Sequence, residues 1–242
     1  MGVPVATGSR QTLVNRILAS RATATVVALM PVPLILVRWV LAKDNAQENR
    51  RDSWSRLRRD TETARYAAVR AATERHAADG FVLDLGCSQG ILQEGLRYRR
   101  YVGVDNHHPA IDLASTKADD STRFVVADAE SYVPDEPPDA IVLNEVVYYL
   151  RRPVPAIEHH AAQLAPGGVV VISVYSRSWA SRRLLEALRR RLTLLESAEV
   201  TAGHLSWTVA VYQPRTSEQS RPQCSWLSRT GRLPGSSPNL HT

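Results

Sequence analysis

Five short and almost wholly apolar runs recur through the middle of the chain: FVLDL (81–85), YVGVD (101–105), RFVVAD (123–128), DAIVLN (139–144) and VVVISVY (169–175). They lack the strict alternation of a strand with one wet face, and so read as strands buried on both sides, the habit of a mainly parallel sheet. Parallel neighbours need long crossovers, and the segments between the runs supply them as helices. An alanine-rich stretch over 64–72 predicts a helix that stops near Asp79-Gly80. Further helices are expected to open at Ile91-Leu92, around 109–117, over 153–164, and from the end of the fifth run through Arg190. Pro166-Gly167-Gly168 is a turn, and the late runs 192–200 and 207–213 suit an antiparallel hairpin at one end of the sheet. The expected fold class is α/β, doubly wound.

A chain of 242 residues with 44% apolar and 22% charged side chains fits one domain with appendages. Its two cysteines, Cys87 and Cys224, are too few for a disulfide scaffold or a four-cysteine zinc site, which points to a reducing, cytoplasmic compartment. No metal is expected. The net charge of +6 invites a nucleic-acid reading, but residues 76–212 carry 13 basic and 17 acidic side chains, so the excess belongs to the flanks. No nucleic-acid partner is expected.

Residues 1–43 read as an N-terminal extension, 44–213 as the folded domain, and 214–242, rich in Ser, Pro, Arg and Gly, as a disordered tail. The extension holds the apolar run ATATVVALMPVPLILV (22–37), which is shorter than the 20 or so residues of a spanning helix and is interrupted by Pro31 and Pro33. Membrane contact through residues 22–41 and a cleaved export signal are the alternatives to a partly docked extension.

In a sheet of this kind ligands sit beyond the carboxyl ends of the strands. GCSQG (86–90) places glycines where a strand must turn sharply, so backbone N–H groups can approach a ligand. Asp105 follows Gly86 by 19 residues at the end of the second run, where a carboxylate can accept from both ribose hydroxyls. Asp128 closes the third run, placed to accept from an adenine amino group, with the Ala129 N–H as a donor to the ring. Singly, each acid is more often a turn or cap residue; three in register at successive strand ends point to a nucleoside.

The sequence at this point resembles the class I S-adenosylmethionine-dependent methyltransferases over about 60–214. VLDLGCSQGIL matches their first motif, YVGVDNHHPAI the ribose-binding strand, FVVADAESY the adenine-side motif, DAIVLNEVVYYL the fourth strand and PGGVVVISVY the fifth. The resemblance implies a seven-stranded sheet whose last pair forms an antiparallel hairpin, with S-adenosyl-L-methionine as cofactor. It assigns Asp84 and the backbone of Gly86, Cys87, Ser88 and Gly90 to the methionine part, Asp105 with Asn106 to the ribose, and Asp128 with Ala129 to the adenine. Asn144 and Glu145 are expected to face the methyl group. The family usually has glycine where this chain has Ser88; a small hydroxyl side chain fits there if φ is negative.

Two other readings attach to the same turn. G-x-S-x-G is also the nucleophile elbow of α/β hydrolases, with His204 downstream in the right order, yet it follows the first strand and leaves Asp105 and Asp128 without a task. A nicotinamide-binding protein wants G-x-G-x-x-G, which is absent. A sensor or inactive partner subunit that binds the cofactor without turnover is the non-enzymatic alternative.

Methyl transfer depends on alignment, with a base needed mainly for hydroxyl or protonated amine acceptors. Glu145 is the leading candidate for that base, then Tyr148, with Tyr149, His107 and His108 more simply read as packing and capping residues. His159 and His160 are expected at the surface of their helix. NEVVYYL resembles members that methylate small metabolites, including nodulation-type N-methyltransferases, and lacks the N-P-P-Y of base-modifying members. The expected acceptor is a small molecule methylated on N or O, in a pocket built by 54–75, 148–155 and the stretch holding Arg177 and Trp179.

Overall fold

The computed structural model describes residues 60–215. The expected extension (1–43), residues 44–59 and the tail beyond 215 lie outside the described residues. Seven strands form one sheet: β1 (Phe81–Leu85), β2 (Arg100–Asp105), β3 (Thr122–Val126), β4 (Ala140–Asn144), β5 (Val169–Tyr175), β6 (Leu192–Ala202) and β7 (Leu205–Pro214). Their order across the sheet is β3-β2-β1-β4-β5-β7-β6, with the first five parallel and β7 antiparallel to both β5 and β6. The order therefore reverses between β1 and β4. Pro214, expected in the tail, pairs with Leu192 as the last residue of β7.

Among the described residues four helices flank the sheet: α1 (Asp60–Ala77), α2 (His108–Ser115), α3 (Pro153–Ala161) and α4 (Trp179–Arg189). Strand residues alternate between two cores. Phe81, Leu83, Leu85, Ile141, Leu143, Val170 and Ile172 pack with Ile157 of α3 and Leu185 and Leu188 of α4. Val82, Tyr101, Val142, Val171 and Val211 pack with Tyr66, Val69 and Ala72 of α1. Apolar residues on both faces of each strand are what the continuous runs demanded.

One expected helix is missing. After the glycine loop, residues 91–95 form turns, closed by the i→i+3 bonds Glu94 N–H to Ile91 O (3.3 Å) and Leu96 N–H to Gln93 O (3.2 Å). Gly95 at φ +81 stops any helix one turn after it begins. Ile91, Leu92 and Leu96 still bury against the α1 face, so the apolar spacing was read correctly and its backbone was not. Among the described residues no helix is long and apolar enough to cross a membrane.

Candidate functional site

Beyond β1 the chain turns through Gly86 (φ +79), Ser88 (φ +48) and Gly90 (φ +67). A Cβ at Gly86 would lie 2.1 Å from Val146 Cγ2, so only glycine fits. Ser88 corrects the sequence expectation: its φ is positive, in the left-handed region, and its Oγ is buried without a hydrogen-bond partner. Burial, and then the Asp84 and Asp105 carboxylates, hold the Cys87 thiol well above its usual range, so it stays neutral. The loop is braced from outside. Arg70 Nη2 donates to Ile91 O (2.7 Å) and Lys117 Nζ to Gln89 O (2.6 Å).

Asp84 is 2% exposed on the α1 face of β1. Tyr101 Oη donates to its Oδ2 at 2.5 Å, whereas Oδ1 has no hydrogen-bond partner. Burial pushes this carboxyl up to about 7, against the Tyr101 hydrogen bond and with help from the nearby Asp105. Asp105 stands at the end of the neighbouring strand. Its Oδ2 accepts from Ser88 N–H and its Oδ1 from His107 N–H, both at 2.9 Å, so two loops aim one carboxylate. Asn106, next to it, is exposed.

The loop after β3 is fixed peptide by peptide. Asp128 Oδ1 accepts from Glu130 N–H (2.9 Å), Asp128 O from Ser131 N–H (3.2 Å), and Ala129 O from His160 Nε2 (2.8 Å). Ala127 N–H donates to Asp105 O (3.0 Å), tying this loop to the previous one. Among the described residues, Asp128 Oδ2 and the Ala129 N–H are left without a hydrogen-bond partner. His160 was expected at the surface and is fully buried; only His159 is exposed. It faces inward because it lies three and four residues from the buried Ile157 and Ala156 on α3.

At the end of β4 the structure surrounds the expected Asn144, Glu145 and Tyr148 with partners that no local pattern foretold. Asn144 Oδ1 accepts from Ser173 Oγ (2.7 Å) and from Arg65 Nη1 of α1. Arg65, 2% exposed, also pairs with Glu62 (2.6 Å) and stacks on Tyr66 (4.6 Å) and Trp207 (5.7 Å). Glu145 sits at φ +61. Burial pushes its carboxyl up to about 7; the Arg65 charge opposes this and Glu62 adds to it, while hydrogen bonds from Tyr148 and Trp207 favour the ionised form. Tyr148 Oη is 3.3 Å from Glu145 Oε1 and 3.4 Å from Ser181 Oγ, and accepts from Tyr175 N–H at 2.5 Å. A non-glycine residue held in the left-handed region beside a buried ionisable cluster is typical of a working site.

The strand ends thus carry, in sequence across β1, β2 and β3, a buried carboxyl oxygen with no partner, a carboxylate steered by two backbone donors, and an acceptor next to a donor. That set suits an ammonium, a vicinal diol and an adenine edge, three of the polar parts of S-adenosylmethionine. Surface depressions of about 420 and 410 Å³ lie at the opposite, amino ends of the strands and touch none of these groups. The hydrolase reading has no support here. Ser88 Oγ has no histidine partner, and His204, in the β6–β7 turn, is separated from β1 by β4, β5 and β7, a span of about 14 Å or more at one strand per 4.7–4.9 Å.

A sequence model of the methyltransferase domain matches residues 51–212. The chain belongs to this family. Among curated proteins it is 31% identical over 140 residues to the trans-aconitate 2-methyltransferase of Delftia acidovorans, covering 54% of this chain and 52% of that one. It is 32% identical over 105 residues to the ubiquinone biosynthesis O-methyltransferase of Bradyrhizobium diazoefficiens, covering 41% and 42%. The chain spans about half the length of the curated relatives it matches. Among solved structures, the N-methyltransferase NodS of Bradyrhizobium japonicum, in complex with S-adenosyl-L-homocysteine, superposes with a TM-score of 0.63 at 24% identity, covering 72% of this chain and 98% of that one. At that identity the likeness is one of fold. This methyltransferase-family domain shares with it the α/β sheet of seven strands, mostly parallel and antiparallel at its carboxyl-terminal end.

Proposed function

We propose that the protein is an S-adenosylmethionine-dependent methyltransferase whose acceptor is a small molecule methylated on N or O. The observation that carries the reading is the ordered series of polar groups at the ends of β1, β2 and β3, on a chain of the methyltransferase-domain family. In it, Asp84 and the Gly86, Cys87, Ser88 and Gly90 backbone receive the methionine part. Asp105 with Asn106 receives the ribose, and Asp128 with Ala129 the adenine. Asn144 flanks the methyl group. The curated relatives, named for trans-aconitate and ubiquinone-pathway methylation, favour a small acceptor.

The bound cofactor supplies an electrophilic methyl group on a sulfonium. What the chain contributes is placement and proton handling. Glu145, with its carboxyl near 7 and its oxygen 3.3 Å from Tyr148 Oη, is suited to take the proton that an N–H or O–H acceptor loses. Tyr148 holds that carboxylate, and burial keeps its own hydroxyl far above its usual range and therefore protonated. The cytoplasmic location and the lack of a nucleic-acid partner belong to the same proposal, supported by cysteine content and by the charge of residues 76–212, and so does a domain that starts at residue 44 and ends with β7 at Pro214 rather than at 213.

Calorimetric titration of the full-length chain with S-adenosylhomocysteine tests the cofactor site. Binding by the wild type that is lost in Asp105→Ala is the expected result; a folded wild type that does not bind sinks the proposal. Glu145→Gln is expected to keep cofactor binding and to lower turnover on any accepted substrate by about a hundredfold or more.

A further inference from the structure

We infer that His160 is a positioning residue for the cofactor's adenine, acting through the backbone of Ala129. The inference rests on the cofactor reading above and assigns a role to a side chain which that reading does not use.

His160 is fully buried on α3, 31 residues away in sequence from the carbonyl it bonds. A carbonyl only accepts, so Nε2 carries the hydrogen and Nδ1 holds a lone pair. That Nδ1 is buried with no hydrogen-bond partner, and burial, against the opposing pull of the Ala129 bond, lowers the ring's affinity for a proton. A buried imidazole with one ring nitrogen unsatisfied is a costly way to fill space beside Ile157 and Ala161, which an apolar side chain would fill without that cost. The bond it makes is the use for it.

The effect of that bond follows from the other contacts in the loop. The Ala129–Glu130 peptide is held at both ends, its carbonyl by His160 and its N–H by Asp128 Oδ1. The Asp128–Ala129 peptide is held at its carbonyl by Ser131 N–H. Glu130 is anchored in turn, its carboxylate accepting from Arg151 N–H and Arg152 N–H at 3.0 Å each. With every other group of the two peptides engaged, the Ala129 N–H and Asp128 Oδ2 remain, one donor beside one acceptor. Adenine presents the complement on its Watson–Crick edge, where N1 accepts and the 6-amino group donates. Ala127, Ala129 and Tyr132 pack this loop on the hydrophobic core through their side chains, and His160 adds the hydrogen bond from that core to the loop's backbone, so releasing Ala129 O lets the peptide rotate and the donor turn away from its partner.

The test compares His160→Gln with His160→Asn in the full-length chain. Glutamine carries its amide nitrogen where Nε2 stands and keeps a donor within reach of Ala129 O; asparagine stops at the position of Nδ1. The probes are S-adenosylhomocysteine and S-inosylhomocysteine, whose base has the donor and acceptor of that edge exchanged. His160→Asn is expected to bind S-adenosylhomocysteine about tenfold or more weakly and to lose most of the wild type's preference over the inosyl analogue, and His160→Gln to retain both. Equal weakening by Gln and Asn, wild-type affinity in His160→Asn, or loss of affinity for both probes by one common factor overturns the inference. A wild type that binds neither probe overturns the cofactor reading itself, and this inference with it.

Discussion

Ser88→Gly is expected to make the cofactor-free protein more stable. Serine at φ +48 occupies the left-handed region, which costs an L-residue about 1–2 kcal/mol relative to glycine. Its Oγ is buried without a partner, a further ~1–3 kcal/mol. Glycine gives back roughly 0.5–1 kcal/mol through the greater freedom of its unfolded chain. The lower ends of the two gains, less the upper end of the loss, leave a net stabilisation of at least about 1 kcal/mol, or some 2–4 °C in Tm for a domain of this size. The backbone bond from residue 88 to Asp105 survives the change, so the ribose-side carboxylate stays in place. Ser88→Ala removes the hydroxyl and keeps the strain, and should fall between. Urea unfolding of the three proteins, with m-values unchanged, measures the series. A glycine variant no more stable than wild type would refute the reasoning, and an alanine variant equal to glycine would remove backbone strain from it.

Arg65→Met should cost about 3–5 kcal/mol, because it leaves Glu62 and Glu145 without their buried cation; urea unfolding reads the loss, and a change below about 1 kcal/mol would mean that water already solvates the cluster. Asp84→Asn should remove part of the protein's pH dependence. The wild-type carboxyl is raised from an unfolded value near 3.8 to about 7, so the fold binds the extra proton between those limits and loses that stability as pH rises through 7. The amide has no proton to lose, so the variant should gain on the wild type from about pH 4 to pH 7 and level off above that; a difference that is flat across this range contradicts a neutral Asp84.

Much of the frame was legible without coordinates. Continuous apolar runs identified β1 to β5 within a few residues, because a strand covered on both faces can tolerate little else. The late pair was recognisable as a hairpin, and Asp84, Asp105 and Asp128 could be singled out because each sits at or near the end of a strand, where chain direction alone decides which edge of the sheet it reaches. The turns at 91–95 were misread as helix because Ile91, Leu92 and Leu96 have helical spacing while Gly95 decides the backbone.

What the sequence by itself determined is the order of strands and helices and the residues standing at the strand ends, since both follow from side-chain periodicity within a dozen residues. Only the tertiary structure decided how the polar groups among them are matched. Arg65 meets Asn144 across 79 residues and His160 meets Ala129 across 31; helical spacing places each on a buried face, but nothing local names the atom it meets there. Ser88 takes its left-handed turn in a loop where Gly86 lies against Val146, sixty residues on, and where its own N–H reaches Asp105. Burial is a property of a face and can be read from a pattern; a hydrogen bond needs a particular atom opposite, and that atom is brought there by the fold.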